Sequence, residues 1–162
     1  YYYIPSKAAL YAEVYRDTVD YVYGEFERAA QTEACLISRY SAVLRRAAEL
    51  HASDVTLTGF IVAVGQETQH HPDLVALLGE QRRRHTAFFT WLVDAAVDSG
   101  ELADPTHAGA VADLLGAMLE GLARLAVSSG DPARYSDAID ALGHLLAGTL
   151  LAAAPAARGR EP

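Results

Sequence analysis

The chain has little sulfur and a shortage of positive charge. Its 162 residues include one Cys, one Met and one Trp. A single Cys cannot form a disulfide within one chain, and this scarcity fits the reducing environment of the cytoplasm. The net charge is −8, from 13 Lys and Arg residues against 21 Asp and Glu residues. This balance argues against a surface that coats nucleic acid, because phosphate binding needs clustered positive charge.

Long apolar segments and glycine-rich loops are also missing. The longest uncharged run, 141–157, contains a His and a Pro, and it is shorter than the roughly 20 residues that a membrane span needs. No signal-peptide pattern is visible, and no nucleophile stands beside a base. We therefore expect a soluble, cytoplasmic chain that is not an enzyme and holds no cofactor or metal. Four glycines lie singly within helical patterns rather than in a phosphate-binding loop: Gly24, Gly59, Gly65 and Gly79.

Hydrophobic residues are abundant, at 51%, and Ala and Leu dominate them. This composition favours helices over sheets. A chain of this length buries roughly two-thirds of its unfolded surface in one core. Apolar side chains recur at helical spacing between Pro, Gly and Ser or Asp breaks. The sequence therefore predicts an all-α fold with six helices, at about 7–30, 33–51, 54–70, 72–99, 106–128 and 133–151.

The first seven residues contain a tight corner between two helices. Three tyrosines and Ile4 form the last turn of an amphipathic helix. Pro5 ends that helix because it lacks the N–H that would continue the ladder. Ser6 is a favourable N-cap for the next helix. With no initiator Met, the chain is expected to begin inside an earlier helix.

This corner resembles the end of the helix-turn-helix in TetR-type repressors. Tyr1, Ile4, Ser6, Lys7 and Leu10 match the pattern, with Ile4 in place of the usual Phe. The resemblance implies that residues 1–6 are a remnant of a DNA-binding domain, 7–151 an effector-binding and dimerisation domain, and 152–162 a flexible tail. It implies operator DNA as a partner, through a helix-turn-helix that mostly precedes this chain. The phosphate-contacting positions by resemblance are Tyr1, Tyr3 and Lys7.

The last two predicted helices are apolar over more than half of their circumference, so one core cannot absorb both faces. Glycines within them cost about 1 kcal/mol each relative to Ala, and they indicate close helix approach. We expect a homodimer in which these helices form a four-helix bundle from two chains, as in TetR-type proteins. The predicted interface consists of Leu115, Gly116, Leu119, Leu122, Ile139, Leu142, Gly143, Leu146 and Leu150.

A small-molecule pocket is expected between helices one to five. Such pockets are mostly apolar, with a few convergent polar groups. For each residue, plain core packing is the alternative, and the polar end of the third helix either emerges into solvent or lines a cavity. Aromatic and aliphatic walls accept many lipophilic molecules, and Glu67 would favour cations. The predicted lining is Val22, Phe26, Tyr40, Phe60, Val64, Glu67, Thr68, His71, His85, Phe88, Phe89, Leu92 and Met118.

The expected function is a ligand-responsive transcriptional regulator of TetR type, in which the effector shifts the dimer out of its DNA-binding conformation. Two alternatives remain open. One is a metal-dependent helical-bundle enzyme, because Glu67 and His70 have the Glu-x-x-His spacing of di-iron bundles, although no second copy of that motif occurs. The other is a dimerisation module without a ligand, which predicts a tightly packed interior instead of a cavity.

Overall fold

The computed structural model describes residues 7–68 and 72–150. Within these ranges the chain is all-α, with no strand and a single short 3-10 turn at Pro105–His107. The all-α prediction is confirmed. The seven helices of the described part are α1 (Lys7–Gln31), α2 (Leu36–Ser53), α3 (Val55–Glu67), α4 (Pro72–Leu77), α5 (Gly79–Asp98), α6 (Ala108–Ser129) and α7 (Pro132–Leu146).

The helix ends follow local chemistry. The carboxylate of Asp54 accepts a hydrogen bond from the backbone N–H of Thr56 at 2.9 Å and caps α3. Asp131 caps α7 in the same way, with Pro132 in the first helical position, where a missing N–H costs nothing. Gly130 ends α6 at φ +60°, in the left-handed region that favours glycine. Short polar and glycine signals thus set most boundaries.

Two helices differ from the sequence prediction. The predicted helix 72–99 is two helices, α4 and α5, which are separated at Leu78. Leu78 has φ −101° and ψ 10° and is buried in a small apolar cluster with Ala12 and Val64, so the interruption coincides with a tertiary contact where the apolar pattern is continuous. The last helix ends at Leu146 rather than near residue 151, and Gly148 follows with φ +70°.

The main core lies around α5, which contacts α1, α2 and α6. Its largest fully buried side chains include Tyr40, Phe88, Phe89 and Leu92. The hydroxyl of Tyr40 donates to the carbonyl oxygen of Leu115 at 2.8 Å, and this bond ties α2 to α6. Rings from α1 and α5 stack edge to face in this core, as for the pair Tyr23 and Phe88. The aromatic residues of α1, α2 and α5 thus pack together in the main core.

No single helix of the described ranges is long and apolar enough to cross a membrane. Only α2 and α3 together reach the required length and composition, and they are bent by 108°.

Candidate functional site

A cavity of about 280 Å³ lies between α1, α3, α5 and α6. Its volume is close to the lower end of the roughly 300–1,000 Å³ found for small-molecule sites. Apolar side chains form much of the wall, and polar groups from several helices converge on it. The lining comprises Tyr15, Val19 and Tyr23 of α1, Ile61, Val62, Val64 and Gly65 of α3, Thr68 and Leu78 at helix ends, Gln81, Arg82 and His85 of α5, and Glu120, Ala123 and Arg124 of α6.

Three polar side chains, one each from α1, α5 and α6, lie close together beside the cavity. The Tyr23 hydroxyl lies 2.5 Å from His85 Nδ1, and His85 Nε2 lies 3.6 Å from Glu120 Oε1. When the tyrosine donates to Nδ1, the imidazole proton resides on Nε2 and points toward the carboxylate. The hydrogen bond therefore ties α1 to α5, and the Glu120 carboxylate of α6 lies close to the same imidazole.

Burial controls the protonation of Tyr23 and His85. Desolvation lowers the pKa of His85, although the negative charges of Glu120 and Asp113 act against that shift. Burial likewise raises the pKa of Tyr23, helped by Tyr15 and Glu120. At neutral pH the imidazole and the phenol are therefore both uncharged.

Gly116 of α6 makes room for the His85 ring. A Cβ at this position would lie 2.8 Å from His85 Nε2 and 3.3 Å from Phe89 Cδ2. Contacts under 3 Å are not tolerated without displacement, and the Tyr23 hydrogen bond fixes the ring from its other side. The glycine is thus required by the packing of α5 on α6.

Gln81 is a buried polar group without a partner. Its side chain is 5% exposed, lines the cavity, and has no hydrogen-bond partner for Oε1 within the described ranges. An unsatisfied buried acceptor costs about 1–3 kcal/mol. Such a group beside a cavity is suited to a ligand that donates a hydrogen bond.

Charged side chains occupy the exposed part of the cavity lining. Arg82, Glu120 and Arg124 are all exposed. Glu120 is the sole acidic side chain on this lining in the part of the chain that the structure describes, and it faces His85. The cavity thus combines an apolar and hydrogen-bonding interior with two guanidinium groups.

Two smaller cavities adjoin the first. One of about 90 Å³ lies near Val22, Phe26 and Tyr135, and one of about 160 Å³ lies near Phe89 and Asp113. Glu120 lines all three. Small side-chain movements near this carboxylate would therefore change the space available to a ligand.

The structure separates the predicted ligand-binding residues into groups. Val64, Thr68 and His85 line the main cavity. Val22 and Phe26 line the second cavity, and Phe89 lines the third beside His85. Their role in ligand binding stays a prediction, but six of the thirteen residues lie around one connected region.

Six of the other predicted ligand-binding residues line none of these three cavities. Tyr40, Phe88 and Leu92 are fully buried core residues, and Met118 packs against the same core. Phe60 stacks edge to face with Tyr11 and Tyr15. Glu67 is exposed, and His71 lies outside the described residues. Apolar periodicity predicts which face of a helix is buried. It does not distinguish a cavity wall from a packed core, because both have the same periodicity.

The predicted dimer interface stays a prediction, and the structure buries part of it within one chain. Leu115, Gly116, Leu119 and Ile139 are buried within one chain, so they have no surface to offer a partner. Leu122, Leu142 and Leu146 pack partly against the core, Gly143 is half-buried with open space around it, and Leu150 is exposed. The stripe of α6 that remains exposed is displaced by one or two positions and contains Ala110, Leu114, Ala117 and Gly121.

Part of the predicted chemistry falls outside the described residues. Tyr1 and Tyr3 lie outside them, and Lys7 begins α1 but its side chain is not described. His70, the partner of Glu67 in the metal-enzyme alternative, also lies outside. Within 7–68 and 72–150, no group of three or more His, Cys, Asp or Glu side chains could hold a metal ion.

Several cavity residues were missing from the sequence prediction, notably Tyr15, Tyr23, Gln81, Arg82 and Glu120. One signal could have identified Gln81. It lies on the helical stripe between Leu78 and His85, three residues after the first and four before the second, where an amide interrupts an apolar face. For Arg82 and Glu120 no such signal exists, because charged residues beside an apolar stripe are ordinary for a surface helix.

The comparisons with known proteins identify the chain. No curated protein and no solved structure matches it significantly. A family model does match, and its description is the C-terminal domain of BetI-type transcriptional repressors. The match covers residues 36–151, from the start of α2 to beyond the end of α7. The chain therefore belongs to the TetR family of transcriptional regulators and carries a BetI-type repressor C-terminal domain.

Proposed function

We propose that this chain is the effector-sensing part of a transcriptional repressor, and that the effector binds in the cavity between α1, α3, α5 and α6. The observation that carries this proposal is the buried Gln81, whose Oε1 lacks a partner beside a cavity of about 280 Å³. A donor group on a bound effector would satisfy this oxygen, whereas a ligand-free dimerisation module gives it no such partner. The family points to a regulator rather than an enzyme.

We further propose that the chain acts as a cytoplasmic homodimer through the exposed apolar faces of α6 and α7. Leu114 is 58% exposed and Leu145 is 48% exposed. Ala117 and Gly121 follow Leu114 on the same stripe of α6. Small residues such as these allow helices to approach closely. A two-fold pairing of these faces would form the four-helix bundle.

The proposed switch is a shift between two conformations of the dimer. A two-fold dimer holds two recognition helices about 34–36 Å apart, so that they enter successive major grooves. An effector in the cavity contacts α1 through Tyr15 and Tyr23, and α6 through Glu120. The affinity of the effector therefore depends on the distance between α1 and α6. In this proposal α1 leads to the DNA-binding domain, and α6 pairs the two subunits. A ligand shifts an equilibrium only by such a difference in affinity.

A pair of glycine variants of α3 tests whether the cavity is the binding site. Gly65 lines the cavity and has no atom within 4 Å of a built Cβ. Gly65→Leu should fill the cavity and abolish the thermal stabilisation that small lipophilic molecules give the wild-type chain. Gly59→Leu is the control, because Gly59 has equally open surroundings and lines none of the three cavities.

A thermal-shift screen gives the readout, since a ligand of the native state raises Tm by mass action. The proposal requires compounds that stabilise the wild type and Gly59→Leu but not Gly65→Leu. Equal stabilisation of both variants would place the ligand elsewhere. If no compound stabilises the wild type, the effector-sensing role itself fails.

A further inference from the structure

We infer that the effector is a small amphipathic carboxylate whose apolar body carries a hydroxyl or amide group. This inference rests on the proposed function, because it names the chemistry of the molecule that occupies the main cavity. It reverses the bias toward cations that Glu67 suggested, since Glu67 is exposed and lines none of the three cavities.

The charge of the lining favours an anion. Two arginines and one glutamate line the cavity. Neither Arg82 nor Arg124 forms an ion pair with an acidic residue of the described ranges. The two guanidinium groups therefore lie beside the cavity with no ion-pair partner in the described ranges, although the chain as a whole has a net charge of −8. Planar guanidinium groups bind carboxylates through paired, charge-assisted hydrogen bonds.

Glu120 does not cancel this preference. Its Oε1 lies 3.6 Å from His85 Nε2, and the carboxylate forms an ion pair with neither arginine. Two guanidinium groups and one carboxylate leave the lining with a net positive charge. Both guanidinium groups remain available to a ligand.

The interior of the cavity defines the rest of the molecule. Val19, Val64 and Leu78 are buried apolar walls, which suit a hydrocarbon or aryl body. Gln81 presents a carboxamide that is 5% exposed, with an unpartnered Oε1. A carboxamide both donates and accepts, so a hydroxyl or amide on the ligand can satisfy it whichever way the amide is turned. The ligand thus has an anionic head, an apolar body and one neutral polar group.

The test is a thermal-shift screen of the chain with matched compound sets. Each set contains an arylalkyl carboxylate, the primary alcohol and the primary amine on the same carbon skeleton, together with a phenol-bearing version of the carboxylate. We expect the compounds that stabilise the chain to be concentrated among the carboxylates. In titration calorimetry the best of them should bind at least tenfold tighter than its matched amine.

Arginine variants assign the head group. Arg82→Gln and Arg124→Gln should each weaken the best carboxylate about tenfold or more and leave the matched alcohol unchanged. Arg83→Gln is the control, because Arg83 is exposed on the same helix and lines none of the three cavities. If Arg83→Gln lost as much affinity for the carboxylate, the effect would come from general surface charge and the inference would be overturned.

Gln81→Leu assigns the neutral polar group. The phenol-bearing carboxylate should bind the wild type several-fold tighter than its parent, and Gln81→Leu should remove that advantage. The variant should remain folded, with a Tm equal to or above that of the wild type, because it deletes an unsatisfied buried group. A phenol advantage that persists in this variant would contradict the role of Gln81.

The outcomes separate the two proposals. Stabilising compounds found among the amines, or spread evenly over the three head groups, overturn the carboxylate inference and leave the effector-sensing function standing. No stabilising compound in any set contradicts the effector-sensing function, and the inference fails with it.

Discussion

Gly116 is the position at which a single methyl group should disturb the cavity wall. Gly116→Ala places a Cβ 2.8 Å from His85 Nε2 and displaces a ring that the Tyr23 hydroxyl holds from its other side. We expect a loss of about 1–3 kcal/mol in the free energy of unfolding, as for other overpacked sites. Urea denaturation measures this loss.

The control for this substitution is Gly59→Ala on α3. No atom lies within 4 Å of a Cβ built at Gly59, so the change should be neutral or stabilise the protein by up to about 1 kcal/mol through helix propensity. If Gly116→Ala were as stable as this control, the close packing of His85 on α6 would be disproved.

His85 makes the stability of the fold depend on pH near neutrality. Burial lowers its pKa in the folded state, so the unfolded chain binds the proton more readily below the ordinary histidine pKa of about 6.5. Stability should therefore fall as the pH drops from 7.5 to 5.5. The groups that face the imidazole are Tyr23 of α1 and Glu120 and Asp113 of α6, and the two carboxylates reduce the shift without reversing it.

His85→Asn isolates this contribution. The asparagine amide occupies the place of Nδ1 near Tyr23 but does not titrate. Carboxylates with lowered pKa values, such as those of Glu101 and Asp104, lose their stabilising effect only at lower pH and do so equally in both proteins. Urea denaturation at several pH values should show a smaller decrease for the variant. Identical curves would mean that the imidazole is protonated with equal ease in both states.

At the scale of single residues, the sequence identifies side-chain type but not the space beside it. His85 was predicted as a polar group of the pocket because it interrupts an apolar stripe, and the structure places it on the cavity wall. Tyr40 has the same kind of stripe position and is fully buried core. The difference arises from how far apart the facing helices lie, which no local pattern encodes.

At the scale of helices, α6 should carry the dimer contact on one stripe only. Leu114 is 58% exposed, so Leu114→Lys should leave the single chain folded and place a charge in the proposed interface. We expect this variant to be monomeric at micromolar concentration in size-exclusion chromatography with light scattering.

Val127→Lys is the matched control for the dimer. Val127 is also a large exposed residue of α6, at 43%, but helical spacing turns it about 100° away from the stripe of Leu114. This variant should keep the mass of the wild-type dimer. A wild-type monomer, or a dimer that tolerates Leu114→Lys, would remove this face as the interface.

Most helix boundaries could be predicted because they depend on local chemistry. Asp131 with Pro132 begins α7 and Gly130 ends α6, as the sequence pattern indicated. The separation of α4 from α5 could not be predicted, because Leu74, Leu78 and Gln81 continue one stripe across it. It coincides with the burial of Leu78 against Val64 of α3, a contact between segments distant in the chain.

At the scale of the whole molecule, the cavity lies between the helix that leads toward the opening segment and the helix proposed to pair the subunits. Beside it, the hydrogen bond between Tyr23 and His85 joins α1 to α5, and Glu120 of α6 lies 3.6 Å from the same imidazole. An effector that inserts among these groups would change the relation between the two ends of the domain. Because the chain belongs to a family of repressors, we expect such a change to alter the affinity for operator DNA.

The decisive measurement is the operator affinity of the regulator together with the proposed helix-turn-helix domain, by fluorescence anisotropy, with and without a compound that binds the cavity. A coupling of about 1–3 kcal/mol predicts an operator affinity roughly 5- to 150-fold weaker when the compound is bound. Gly65→Leu should bind the operator with the same affinity in both conditions. An operator affinity that does not change while calorimetry shows the compound bound to the wild type would contradict the effector switch.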